Sequence, residues 1–182
     1  MATSQVTSGA KLGAVWSSRT TAAAELKRRI HKGIVLHFMV QLSLVDDAAA
    51  RLAARSMGRV HHRIIYFAHF TPGITIGELL AVLGVKHQSI QAALRQLIEG
   101  GYIFSRSSQH DGRVKQLYCS RKGDKLVETL SNGQRERVRR GYESVTAQDV
   151  EGYFKVMAAM LGPERLEWAR RLTERDDPSD AV

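Results

Sequence analysis

TIGELLAVLGVKHQSIQAALRQLIEGGYIFSRSSQHDGRVKQLYCSRKG, residues 75–123, opens on Thr75-Ile76-Gly77-Glu78, a Ser/Thr-x-x-Glu box in which hydroxyl and carboxylate satisfy orphan amides at a helix start. The helix is predicted to run to Leu83, where Gly84 makes a turn. Ile90, Ala93, Leu94, Leu97 and Ile98 then recur at helical steps, the buried stripe of a second helix that Gly100-Gly101 ends. Two short helices joined at a glycine form a helix-turn-helix candidate. Residues 102–107 and 114–120 are extended runs around Ser108-Gln109-His110-Asp111-Gly112-Arg113, whose Asp-Gly pair predicts a hairpin, the wing.

Upstream, Leu26, Ile30, Ile34, Phe38, Leu42 and Val45 place an apolar stripe along one helix beginning near Thr21, while residues 1–20 show no periodicity and read as a loose arm. A further helix carries Val60, Ile64, Ile65, Phe67 and Ala68 and stops at Thr71-Pro72-Gly73. Downstream, Ser120 caps a helix with Leu126, Val127 and Leu130, and Thr146 caps one with Val150, Phe154, Met157 and Leu161. Gly162-Pro163 then introduces a last helix reaching about Arg175.

The pattern predicts a mainly α chain with a small β-hairpin wing. A winged helix-turn-helix module at 58–123 is flanked by an N-terminal dimerisation helix at 21–57 and C-terminal dimerisation helices at 124–175. A flexible arm at 1–20 and a tail at 176–182 complete it.

The 182 residues carry a net charge of +9 with pI near 10.0, a balance that attracts polyanions. Its distribution matters more than its sum. Residues 86–140 hold 12 Lys and Arg against 5 Asp and Glu, whereas 141–182 hold 5 against 9. The apolar stretch 34–45 is interrupted by His37, Gln41 and Ser43, so no membrane partner is expected, and the cytoplasm is the expected compartment.

A helix fits the major groove of B-DNA, where exposed polar side chains near its start read base edges. In the second helix of the pair those are Lys86, His87, Gln88, Ser89, Gln91, Arg95 and Gln96, with Thr75 at the start of the first. On the hairpin, Arg106, Arg113 and Lys115 are placed to meet a backbone or enter a narrow minor groove. Asp111 is expected to pair with the guanidinium of Arg106 or Arg113. An arbitrary amphipathic helix would show polar residues on its solvated face too; the local positive excess decides for double-stranded DNA.

Leu83-Gly84, the 86–99 helix, Gly100-Gly101, Asp111-Gly112-Arg113 and Ser120-Arg121-Lys122-Gly123 follow one another in an order that resembles the MarR family of bacterial transcription regulators. The resemblance implies a wing arginine at Arg113 that enters the minor groove, and a major-groove face at Gln88, Ser89 and Gln91. It further implies a homodimer built by the first and last helices, a pseudo-palindromic DNA site, and a repressor relieved by a small-molecule effector. The long terminal stripes independently ask for a partner surface. A winged-helix scaffold that bends DNA or binds protein without responding to a ligand stands as the alternative.

Neither a cofactor nor a metal site is expected: His61 and His62 are adjacent, and His31 and His37 are six apart, missing the i, i+4 spacing of helical ligands. Cys119 alternates with Leu117 and is expected to be a buried, inert thiol. His87 and His110 read as DNA-facing. No nucleophile motif or phosphate-cradling loop occurs, so no enzyme is expected.

Overall fold

The computed structural model describes the backbone of residues 9–108 and 111–173, and the side chains of residues 21–108 and 111–173. The chain forms two compact units, Met1–Ser43 and Leu44–Val182.

The first unit consists of the greater part of α1, Gly9–Ala53. The helix takes in residues 9–20, where the sequence predicts a loose arm; Ala22-Ala23-Ala24 follow with the best helix former, and no proline precedes them to stop propagation. Residues 1–8 and 174–182, which include the last two residues of the predicted final helix and the predicted tail, lie outside the described residues.

The second unit contains α2 (Arg59–Phe70), β1 (Ile74–Thr75), α3 (Ile76–Leu83), α4 (His87–Glu99), β2 (Ile103–Ser107), β3 (Lys115–Cys119), α5 (Arg121–Glu143), α6 (Ala147–Met160) and α7 (Pro163–Thr173). The predicted caps form. Thr75 Oγ1 accepts from the Glu78 amide while Glu78 Oε2 accepts from the Thr75 amide. Ser120 Oγ accepts from Gly123, and Thr146 Oγ1 from Asp149. Gly84 ends α3 in the left-handed region at φ +64°, a conformation its missing Cβ permits.

Every helix and strand from the end of α1 to α5 sends side chains into one core. Leu52, Ile64, Ile65, Ile74, Leu79, Ile90, Leu97, Ile103, Leu117, Val127 and Leu130 are each at most 3% exposed. Ile98, read as part of that stripe, is exposed because it sits on the flank of the face that Leu94 and Leu97 bury. The sheet has one more strand than the predicted hairpin: the order is β1-β3-β2, all antiparallel, with Ile74 opposite Leu117 and Ile103 opposite Cys119. A two-residue strand carries no alternation to read.

Candidate nucleic-acid interface

Burial of Ile90, Ala93, Leu94 and Leu97 fixes the rotation of α4. That rotation leaves His87, Gln88, Ser89, Gln91 and Arg95 exposed. Lys86 is the N-cap and makes no side-chain cap hydrogen bond; the first turn holds no acid. Amide dipoles and a lysine therefore converge at this end, an arrangement that suits a phosphate oxygen.

Gln96 does not belong to that surface. Its Oε1 lies 2.8 Å from His61 Nε2, and its Nε2 donates to the Ser56 carbonyl. The side chain instead ties α4 to the start of α2, where His61 Nδ1 accepts from the Gly58 amide. Thr75 is half-buried, and its hydroxyl is committed to the capping box.

In the wing, the β2–β3 register sets Arg106 opposite Gln116 and Ser107 opposite Lys115. Phe104 and Tyr118 stack at 5.5 Å, and the Arg106 guanidinium lies over both rings, 5.1 and 5.5 Å from their centroids. Lys115 Nζ donates to Ser107 Oγ. Asp111 holds the turn, though by a different bond from the one expected: Oδ1 accepts from the Arg113 amide at 2.9 Å, and its carbonyl accepts from Val114. The carboxylate satisfies backbone two residues on, as Asp does in turns, and leaves the Arg113 side chain exposed. Gln109 and His110 lie outside the described residues.

Charge pairing separates two groups of cations. On α5, Arg137 forms a two-pronged pair with Asp47, which holds that carboxyl below its ordinary pKa, and Arg139 bridges Glu136 and Glu143. Among the described residues, by contrast, no carboxylate pairs with Lys86, Arg95, Arg106, Arg113 or Lys115. Within the described residues the cations of α4 and the wing are thus free of carboxylates, as are Arg59 and Arg63 on α2 and Arg121, Lys125 and Arg135 on α5.

The Ser120-to-Gly123 segment locks those two parts together. Ser120 Oγ donates to the Gly101 carbonyl, Lys122 Nζ donates to the Gly100 carbonyl, and the same ammonium lies 4.3 Å from the Tyr102 ring centroid. These bonds satisfy carbonyls where α4 ends and β2 begins.

Cys119 is half-buried, and its Sγ donates to the Ile65 carbonyl. Burial first, then the Asp124 carboxylate, pushes the thiol pKa up to about 12. At about pH 8 the thiolate fraction is then on the order of 10⁻⁴. The native chain is expected to resist a thiol-selective disulfide reagent that modifies the denatured chain fully; rapid modification of the native chain would show the thiol to be reactive. With the folded pKa above the unfolded one, the associated stability is whole below the ordinary thiol range and disappears as pH climbs towards about 12.

The sequence profile described as MarR family matches residues 56–114. The HTH-type transcriptional regulator PetP of Rhodobacter capsulatus is 37% identical over 135 residues, which span 74% of this chain and 81% of that one. A crystal structure of a MarR family transcription regulator superposes with a TM-score of 0.65 at 16% identity, covering 87% of this chain and 99% of the other. A mutant MarR from E. coli complexed with operator DNA gives a TM-score of 0.56 at 18% identity, covering 74% and 96%. The resemblance in fold therefore takes in nearly the whole of the solved chains.

Proposed function

Because the chain belongs to the MarR family of transcription regulators, we propose that it binds a pseudo-palindromic DNA site sequence-specifically as a homodimer, represses transcription there, and is released by a small-molecule effector. The observation that carries the DNA reading is the exposed polar face of α4, where no carboxylate among the described residues pairs with Lys86 or Arg95, together with an exposed wing arginine. Gln88, Ser89 and Gln91 are assigned to base edges and Arg113 to the minor groove. Lys86, His87, Arg95, Arg106 and Lys115 are assigned to phosphates or neighbouring bases. Thr75 contributes through the helix start that it caps. A regulator of this kind works in the cytoplasm and performs no chemistry on its ligand.

The dimer reading rests on apolar surface. In the first unit Leu26, Ile30, Ile34 and Phe38 are each more than half exposed. In the second, α6 exposes Tyr153, Phe154, Val156 and Met160. By length and composition alone Thr21–Ala53 could also cross a membrane; a second copy of the chain is the occupant that a twofold DNA site requires. The effector reading is supported by a cavity of about 420 Å³ lined by Tyr66, Phe70, Ser131 and Gln134. Among the described residues the buried Ser131 Oγ has no hydrogen-bond partner. A ligand that favours the DNA-incompetent state there would supply a coupling of about 1–3 kcal/mol.

The test is binding to a genomic fragment selected by the protein against a scrambled fragment of equal length, at one salt concentration. The selected fragment should bind at least ~10³-fold tighter. Gln91→Ala is expected to lose about 1–3 kcal/mol on that fragment and to relax preference at one base pair. Arg113→Ala should weaken the selected fragment more than the scrambled one, with fold and dimer intact. Equal affinity for the two fragments in the parent protein would leave an architectural, sequence-blind binder as the correct reading.

A further inference from the structure

Where the C-terminus of α2, the end of β3 and the first turn of α5 meet, His69 Nδ1 lies 2.8 Å from Asp124 Oδ1. Cys119 Sγ completes a trio whose ligand atoms all fall within 4.8 Å of one another. His69 is buried, Cys119 is half-buried, and the Asp124 side chain is 41% exposed. The trio borders a cavity of about 390 Å³ that Glu128, one turn along α5 from Asp124, also lines.

We propose that His69, Cys119 and Asp124 form a binding site for a divalent transition-metal cation of the zinc type, with Glu128 closing the cavity side. The donor set selects the class of ion. Calcium and magnesium take oxygen alone, whereas one imidazole, one thiolate and carboxylate oxygens suit zinc and its neighbours. Tetrahedral bonds of about 2.0–2.3 Å hold ligand atoms roughly 3.4–3.8 Å apart. The trio's separations, from 2.8 to at most 4.8 Å, bracket that range.

Each donor is held by a separate fixed element. Cys119 sits in the sheet opposite Ile103, and the His69 ring packs edge-on against Phe70 at 4.7 Å. On binding, the cation takes the Nδ1 lone pair of a neutral His69 imidazole whose hydrogen is on Nε2, and any proton that Nδ1 or Asp124 held between them passes to solvent. The Cys119 thiol gives its proton to solvent, so uptake of metal releases protons.

The test uses the full chain stripped with a chelator, then loaded with cobalt(II) as a spectroscopic probe and zinc(II) against a chromophoric chelator. One equivalent should bind with a thiolate-to-cobalt charge-transfer band in the near ultraviolet. The band should vanish in Cys119→Ser, and zinc affinity should fall more than about 10-fold, the least that even an outer-shell partner is worth. Asp124→Asn, at a half-exposed position, should lower zinc affinity likewise while the circular dichroism spectrum stays that of the parent. His69→Gln is expected to follow it. A parent protein with no thiolate band, or zinc affinity unchanged in Cys119→Ser and Asp124→Asn, overturns the proposal. DNA binding plays no part in these readouts, so the site stands or falls separately from the regulator reading.

Discussion

Gly123→Ala is expected to cost about 3 kcal/mol or more of stability, at the upper end of what overpacking does. A Cβ at this position would lie 2.2 Å from the Tyr102 carbonyl oxygen and 3.2 Å from Cys119 Sγ. The first of these is backbone, and it is pinned, because that oxygen accepts the Ser120 amide at 3.0 Å. Gly123 cannot retreat either: it is buried in the first turn of α5, and its own amide donates to the Ser120 cap. Relief would have to open either the cap or the joint between α4 and the wing. At roughly 2–4 °C per kcal/mol for a chain of this size, the thermal midpoint should fall by about 6–12 °C. Gly141, on the same helix, has nothing within 4 Å of its would-be Cβ. Gly141→Ala should therefore leave the midpoint unchanged or raise it slightly, by up to about 1 kcal/mol of helix propensity. A Gly123→Ala protein that melts within about 2 °C of the parent would show that the Tyr102 carbonyl and the first turn of α5 do not approach as described.

The glycine shows how far the sequence could be read. Ser120, Lys122 and Gly123 stood out as a motif, but their reason lies in Gly100, Gly101 and Tyr102, some twenty residues back, where they land. Periodicity located the core face of α4 because Ile90, Ala93, Leu94 and Leu97 repeat along a single helix. It misassigned Gln96, whose partner His61 is 35 residues away and invisible to any local pattern. Asp111 was correctly read as the residue that holds the turn, and its partner was not, since a short carboxylate reaches the amide two residues on before it reaches a long guanidinium. The metal question turned on the same distinction. Spacing rules test ligands within one helix, and they discounted the histidines, while His69 and Asp124 meet across 55 residues. Tertiary folding decides such pairs.

The second large effect concerns the partner surface of α1. Ile34 and Phe38 lie one turn apart and are 64% and 57% exposed, continuing the stripe that begins at Leu26 and Ile30. In a twofold interface each protomer presents the same patch, so every substitution acts twice. Ile34→Asp with Phe38→Asp thus places four carboxylates in an apolar seam, each of which must be desolvated or drive the seam apart. The doubly substituted chain should be monomeric at micromolar concentration by light scattering, with the helical circular dichroism of the second unit kept. Its affinity for DNA carrying two half-sites should drop by about 10²–10⁴, the avidity that linking two modules provides, while binding to a single half-site is preserved. The two half-sites must then lie about 34 Å apart, one turn of duplex, for the parent to gain from both recognition helices. A variant that remains dimeric would move the interface off this stripe. A monomeric variant with undiminished affinity for the two-half-site DNA would refute the twofold mode of recognition itself.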